Sequence, residues 1–143
     1  MEPSRQDLCR LSIGPILNQY IEVNELAKVL YGWVIETMQI SPLRTALVAL
    51  GGTVDNKIRQ IKLLEKSLIA KGLDEAKARS ITSPLVGLNE LRMGAAHIGS
   101  LELEPCFQLM GASSIPQTPR EGWHLCIDTT ATCLKTIATT LQT

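Results

Sequence analysis

Arg92 and His97 are the residues of this chain best suited to do chemistry. They stand five apart in Leu88-Asn89-Glu90-Leu91-Arg92-Met93-Gly94-Ala95-Ala96-His97, and His97 is one of only two histidines in 143 residues. An imidazole exchanges protons near neutral pH. A guanidinium supplies a fixed positive charge where negative charge develops in a transition state. Side by side, the two groups could cleave a phosphodiester, one moving the proton and the other holding the phosphate.

The position of this pair depends on the helix that carries it. Ser83-Pro84 reads as a helix start, with the hydroxyl as cap and Pro in the first helical position, where no N–H is needed. A helix over 84–97 then ends near Gly99. In a straight helix, five residues at about 100° each put Arg92 and His97 about 140° apart, on different faces. Two things would let them converge: the long arginine stem, and unwinding at Gly94, which costs about 1 kcal/mol against Ala in a helix interior. Ala95 and Ala96 leave a low surface for a substrate backbone or another helix. Glu90 could orient Arg92 or simply face solvent, and Asn89 and Arg44 are further candidate phosphate contacts. His124, beside Trp123, reads as structural.

The rest of the chain reads as helices with clear punctuation. Ser41-Pro42 and Thr118-Pro119 repeat the start signal, and Glu121 completes a capping-box spacing with Thr118. Gly51-Gly52, Gly72, Gly99 and Gly111 sit where left-handed caps would end helices. Main helices are expected at 20–39, 55–71, 84–97 and 119–141, with shorter ones at 5–12, 42–50, 74–80 and 104–110. Apolar residues recur at helical spacing: Ile21, Leu26, Leu30, Val34 and Met38; Ile58, Ile61, Leu64 and Leu68; Leu85, Leu88, Leu91 and Ala95; Ile127, Ala131, Leu134, Ala138 and Leu141. The expectation is one all-α domain over 1–143, an up-and-down bundle of four main helices with short ones between them.

Composition excludes several functions. Five aromatic residues (Tyr20, Tyr31, Trp33, Phe107 and Trp123) are too few for a surface that stacks single-stranded bases on rings. Fourteen basic and fourteen acidic residues cancel, so no global field draws in nucleic acid or membrane. Only 55–79 is mildly basic, most simply as a solvated helix face. Cys9, Cys106, Cys126 and Cys133 show no metal-ligand spacing with His97 or His124, so no metal is expected, nor any cofactor. Gly51-Gly52-Thr53 lacks the lysine of a P-loop. Met1-Glu2-Pro3-Ser4 lacks the regions of an export signal, and no apolar run approaches the ~18 residues of a membrane helix. Reduced thiols in a cytoplasmic, membrane-free setting follow as the expectation.

The segment Glu90-Leu91-Arg92-Met93-Gly94-Ala95-Ala96-His97 resembles the R-x4–6-H signature of HEPN domains, small all-α bundles that carry it on a late helix. The resemblance implies a homodimer in which the Arg and His of both protomers form one cleft. It also implies a metal-independent endoribonuclease in bacterial stress response or phage defence, with RNA as substrate and in some members an antitoxin as partner. Carried over, Arg92 holds the scissile phosphate, and His97 serves as general base or acid at the ribose 2′-hydroxyl or the leaving oxygen. Two positions depart from the pattern: Met93 stands where many active members have a polar residue after the Arg, and Gly99 stands where a frequent aromatic follows the His. The alternative is a non-catalytic helical module for dimerisation or assembly with a partner, favoured by the neutral charge and the apolar stripes.

Overall fold

Capping side chains set the first and last helices where the chain begins and ends its packing. Ser4 Oγ accepts the Asp7 N–H at 3.1 Å while Asp7 accepts the Ser4 N–H at 3.3 Å, and this reciprocal box opens α1, Arg5–Ile13. Thr118 Oγ1 accepts the Glu121 N–H at 3.1 Å, with Pro119 in the first helical position, and α7 runs over Pro119–Gln142. Between them lie α2 (Tyr20–Tyr31), α3 (Ile40–Ala49), α4 (Gln60–Ala70), α5 (Glu75–Gly94) and α6 (Leu103–Leu109). The computed structural model describes residues 4–16, 19–94 and 103–143, and among these the regular elements are all helical. The chain is an all-α helical bundle, as its periodicity predicts. No helix among the described residues is long and apolar enough to cross a membrane.

Four helices depart from the sequence expectation. The pieces expected at 74–80 and 84–97 are one helix, α5, with Pro84 inside it. Pro84 has no N–H to offer the Ser80 carbonyl four residues back. The Ser83 hydroxyl lies 3.0 Å from that carbonyl and 3.0 Å from the Leu109 carbonyl, so it partners the freed oxygen instead of capping a new helix. At the second departure, α4 begins at Gln60 rather than 55, because Asp55 Oδ1 accepts the Lys57 N–H at 2.9 Å and folds that stretch into a turn. The third lies in the span expected as one helix over 20–39, where α2 passes at Gly32–Glu36 into a π-helical turn. Ser41 is not the cap of α3, which starts at Ile40 after Gln39, two residues before the expected start. Pro42 still falls in the first turn, where N–H groups have no helical partner to lose.

α5 is the central strut, packing against α2, α4, α6 and α7. Its Leu88 and Leu91 join one core with Leu11, Val23, Leu26, Phe107 and Trp123, and its Ala78 and Leu85 join another with Ile35, Leu64, Leu68, Cys133 and Ile137. Gly87 brings the helices into close approach: a methyl group there would stand 2.7 Å from the Cys106 carbonyl oxygen of α6. The buried face of α7 is Gly122, Trp123, Cys126, Thr130, Cys133 and Ile137. The expected stripe lies beside it, with Ala131 and Ala138 exposed. Trp123 and Ile137 supply the bulk of this face, while Gly122 lets α7 lie close to Phe107, whose ring edge a methyl group there would meet at 3.1 Å.

Three of the four cysteines line this interior. Cys126 Sγ contacts Met110 Sδ at 3.7 Å, and Cys133 Sγ donates to the Ile81 carbonyl at 2.9 Å. Burial pushes the Cys126 thiol up to about 12, aided by Cys106, and pushes Cys106 and Cys133 up to about 11 from an ordinary 9.0. Burial raises the Tyr20 and Tyr31 hydroxyls as well. These groups stay protonated in the native state after the unfolded chain has lost its protons, so their contribution to stability is whole below pH 9.0. It drains away above that value. The urea midpoint is therefore expected to fall steadily between about pH 9 and pH 11. In native protein only exposed Cys9 should react quickly with a thiol reagent. Prompt labelling of all four thiols without denaturant, or a flat midpoint, would overturn this.

Candidate functional site

The π-helical turn creates the setting for Arg92. In an α-helix, residues five apart such as Tyr31 and Glu36 diverge by about 140°. The i→i+5 bonding of a π-turn brings them toward one face instead, and such turns are frequent at functional sites. Both side chains reach Arg92 on α5. The Arg92 guanidinium carbon lies 4.2 Å above the centre of the Tyr31 ring, a stacked cation–π contact. Glu36 Oε1 lies 3.6 Å from Arg92 Nη1, with the carboxylate side chain 59% exposed.

One turn earlier on α5, Asn89 fixes the guanidinium's other edge. Its Oδ1 accepts from Arg92 Nε at 3.1 Å and from Nη2 at 2.8 Å. Tyr31 thus holds the plane and Asn89 the rotation about it. Of the five N–H donors of an arginine, three remain directed elsewhere. The end of α5 is itself tied down, because buried Asn24 on α2 donates from Nδ2 to the Leu91 carbonyl at 2.9 Å. Burial raises the Tyr31 hydroxyl, and the adjacent Arg92 charge opposes that rise.

These groups line an open depression of about 620 Å³ whose far wall is the first turn of α4, with Arg59 and Lys62. No side chain caps that helix, so its positive end faces the same region. Buried Gln60 anchors the wall by donating to the Met38 carbonyl at 3.2 Å. Lys62 is spoken for, pairing at 2.9 Å with Glu65, which also lies 3.8 Å from Arg79. Among the described residues, Arg92 and Arg59 are therefore the cations the depression can offer to a ligand, against the single carboxylate of Glu36. Its chemistry is that of an anion-binding surface: two guanidiniums, one of them rigidly presented, and a helix N-terminus.

Of the two residues expected to act together, Arg92 is placed here, while His97 falls on 95–102, outside the described residues. Gly99, Ala95 and Ala96 fall there too. Glu90 is exposed and takes no part in the contacts of Arg92; Asn89 and Glu36 do that work. Arg44 is committed elsewhere, donating to the Asn56 carbonyl at 2.9 Å. His124 is exposed on α7 and does not line the depression. Among the described residues no group of histidine, cysteine and acidic side chains is arranged to hold a metal ion.

Tyr31, Glu36 and Arg59 were missed by reading the sequence. Nothing in the apolar spacing of 20–39 marks an extra residue per turn, so the spacing gives no sign that Tyr31 and Glu36 share a face. Comparison with known families, curated proteins and solved structures finds no match to the chain.

Proposed function

We propose that the chain is a HEPN-like domain that binds RNA through its phosphates at Arg92 and cleaves it with His97. The supporting observation is the presentation of Arg92: a guanidinium stacked on Tyr31 and gripped by Asn89, in an open depression shared with Arg59. A planar fork with free donors suits the oxygens of a phosphodiester. Arg92 then holds the phosphate and offsets charge developing on it. His97, three residues beyond Gly94, removes the 2′-hydroxyl proton or protonates the leaving oxygen. Attack by the 2′-oxygen forms the new P–O bond as the bond to the 5′-oxygen breaks, leaving a cyclic phosphate on one product and a hydroxyl on the other. A homodimer, as in the domains it resembles, would bring two such pairs to one cleft.

The test is direct. The purified chain, incubated with a mixture of structured and unstructured RNAs in excess chelator, is expected to cut them and leave cyclic phosphate ends. Cleavage that stops on chelation, or products with other ends, would refute the mechanism.

A second reading has its own support. The groove of about 410 Å³ between α1 and α2 is lined by Ile13, Ile16 and Ile21, which are 64%, 73% and 41% exposed. Contiguous apolar surface of this kind marks contact with another protein. A chain that neither binds nor cuts RNA would be the helical assembly module that this groove favours.

A further inference from the structure

Granted the phosphate-binding role of Arg92 set out above, we propose that Glu36 is an internal competitor that occupies the ligand position until a phosphate displaces it. The contacts of Arg92 fall into two kinds. Tyr31 and Asn89 are close and directional, the latter at 2.8 Å and 3.1 Å. Glu36 stands at 3.6 Å, beyond hydrogen-bond length, on a side chain more than half exposed. It neutralises charge without fixing geometry.

Exposed pairs of this kind are weak, because water solvates both partners and salt screens them. A phosphate oxygen reaching Nη1 makes a short charge-assisted bond where Glu36 makes none. Displacing Glu36 leaves the Tyr31 stack and the Asn89 grip in place, so the guanidinium keeps its orientation as its counter-ion changes. The same π-helical turn that sets Tyr31 under the guanidinium sets Glu36 at its open edge, so support and competitor stand five residues apart on one segment. In the free state the carboxylate offsets the charge of Arg92 and leaves that of Arg59, which disfavours stray anions that offer Arg92 only one weak contact. A polynucleotide, supplying further phosphates to Arg59 and the α4 N-terminus, outcompetes it.

The measurement is fluorescence anisotropy with labelled 2′-O-methyl oligouridylate, which offers phosphates but no 2′-hydroxyl to attack. Glu36→Gln is expected to bind it about two- to fivefold more tightly than the native chain, the range a weak exposed pair allows. Glu25→Gln makes the same charge change on exposed α2 surface outside the depression, and should leave affinity unchanged. In an Arg92→Ala background, Glu36→Gln should bring no gain, since nothing is left to compete for. Equal gains from both glutamine variants would reduce the effect to net charge and overturn the proposal. A gain that survives in Arg92→Ala, or no gain at all, overturns it too. Should neither the native chain nor Glu36→Gln bind, the phosphate-binding reading fails along with it. Binding by the native chain that is unaltered in Glu36→Gln sinks the competitor alone.

Discussion

Trp123→Ala is expected to cost about 4–5 kcal/mol of stability, enough to unfold much of the population of a marginally stable domain. Trp123 is 0% exposed and belongs to the core shared by α1, α2, α5, α6 and α7. Its removal leaves a cavity that neighbouring helices can only partly close. It also removes a hydrogen bond, since the indole Nε1 donates to the buried Leu11 carbonyl at 2.9 Å, and an oxygen left dry and unpaired carries a further penalty. Gly14 shows how closely the site is fitted. A methyl group there would stand 2.8 Å from Trp123 Cδ1, and its φ of 79° is one that glycine adopts without strain. Trp123→Phe separates the two terms: it refills most of the space without the N–H and should lose about 1–3 kcal/mol. Urea denaturation followed by far-UV circular dichroism measures both. A loss under about 1.5 kcal/mol for the alanine variant would mean that α1 is not held by this contact.

That link between α1 and α7 spans more than a hundred residues, and no local pattern announces it. What the sequence does announce is local. Thr118-Pro119 reads correctly because cap hydroxyl, proline and the acidic residue at Glu121 all act within one turn. Gly51, Gly72 and Gly111 read correctly because each has positive φ just past a helix, a demand set by the backbone itself. Ser83-Pro84 carries the same letters as Thr118-Pro119 yet sits mid-helix, because the neighbouring helices bury α5 on both sides of the proline and Ser83 repairs the lost bond. The competing tertiary contacts are invisible in the dipeptide. Likewise the Arg92 segment, with Asn89 in it, could be found by its residue types, but the supports on other elements could not. Tyr31 and Glu36 come from a different helix and share a face only through the π-turn, and Arg59 arrives at the start of a third element.

Arg92→Ala and His97→Ala should fail differently, and the difference carries the functional reading. Arg92 is a third exposed at the end of its helix, so its truncation should leave the helical signal intact. It should nonetheless weaken binding of 2′-O-methyl oligouridylate by about 10- to 100-fold, the worth of a charge-assisted contact. Cleavage of RNA should fall by about 10²- to 10³-fold, as when a preorganised donor to a developing oxyanion is removed. Arg92→Lys keeps the charge but cannot lie flat on Tyr31 while gripping Asn89 through two nitrogens, so it should recover little. His97→Ala, by contrast, should bind the oligonucleotide as well as the native chain and lose about 10²- to 10⁴-fold in cleavage, because it removes proton transfer alone. Two results would break the scheme. Full activity in Arg92→Lys would mean the site uses a point charge, making the Tyr31 and Asn89 supports irrelevant to ligand. Undiminished binding by Arg92→Ala would place the nucleic acid elsewhere on the bundle and leave the depression with no part in holding it.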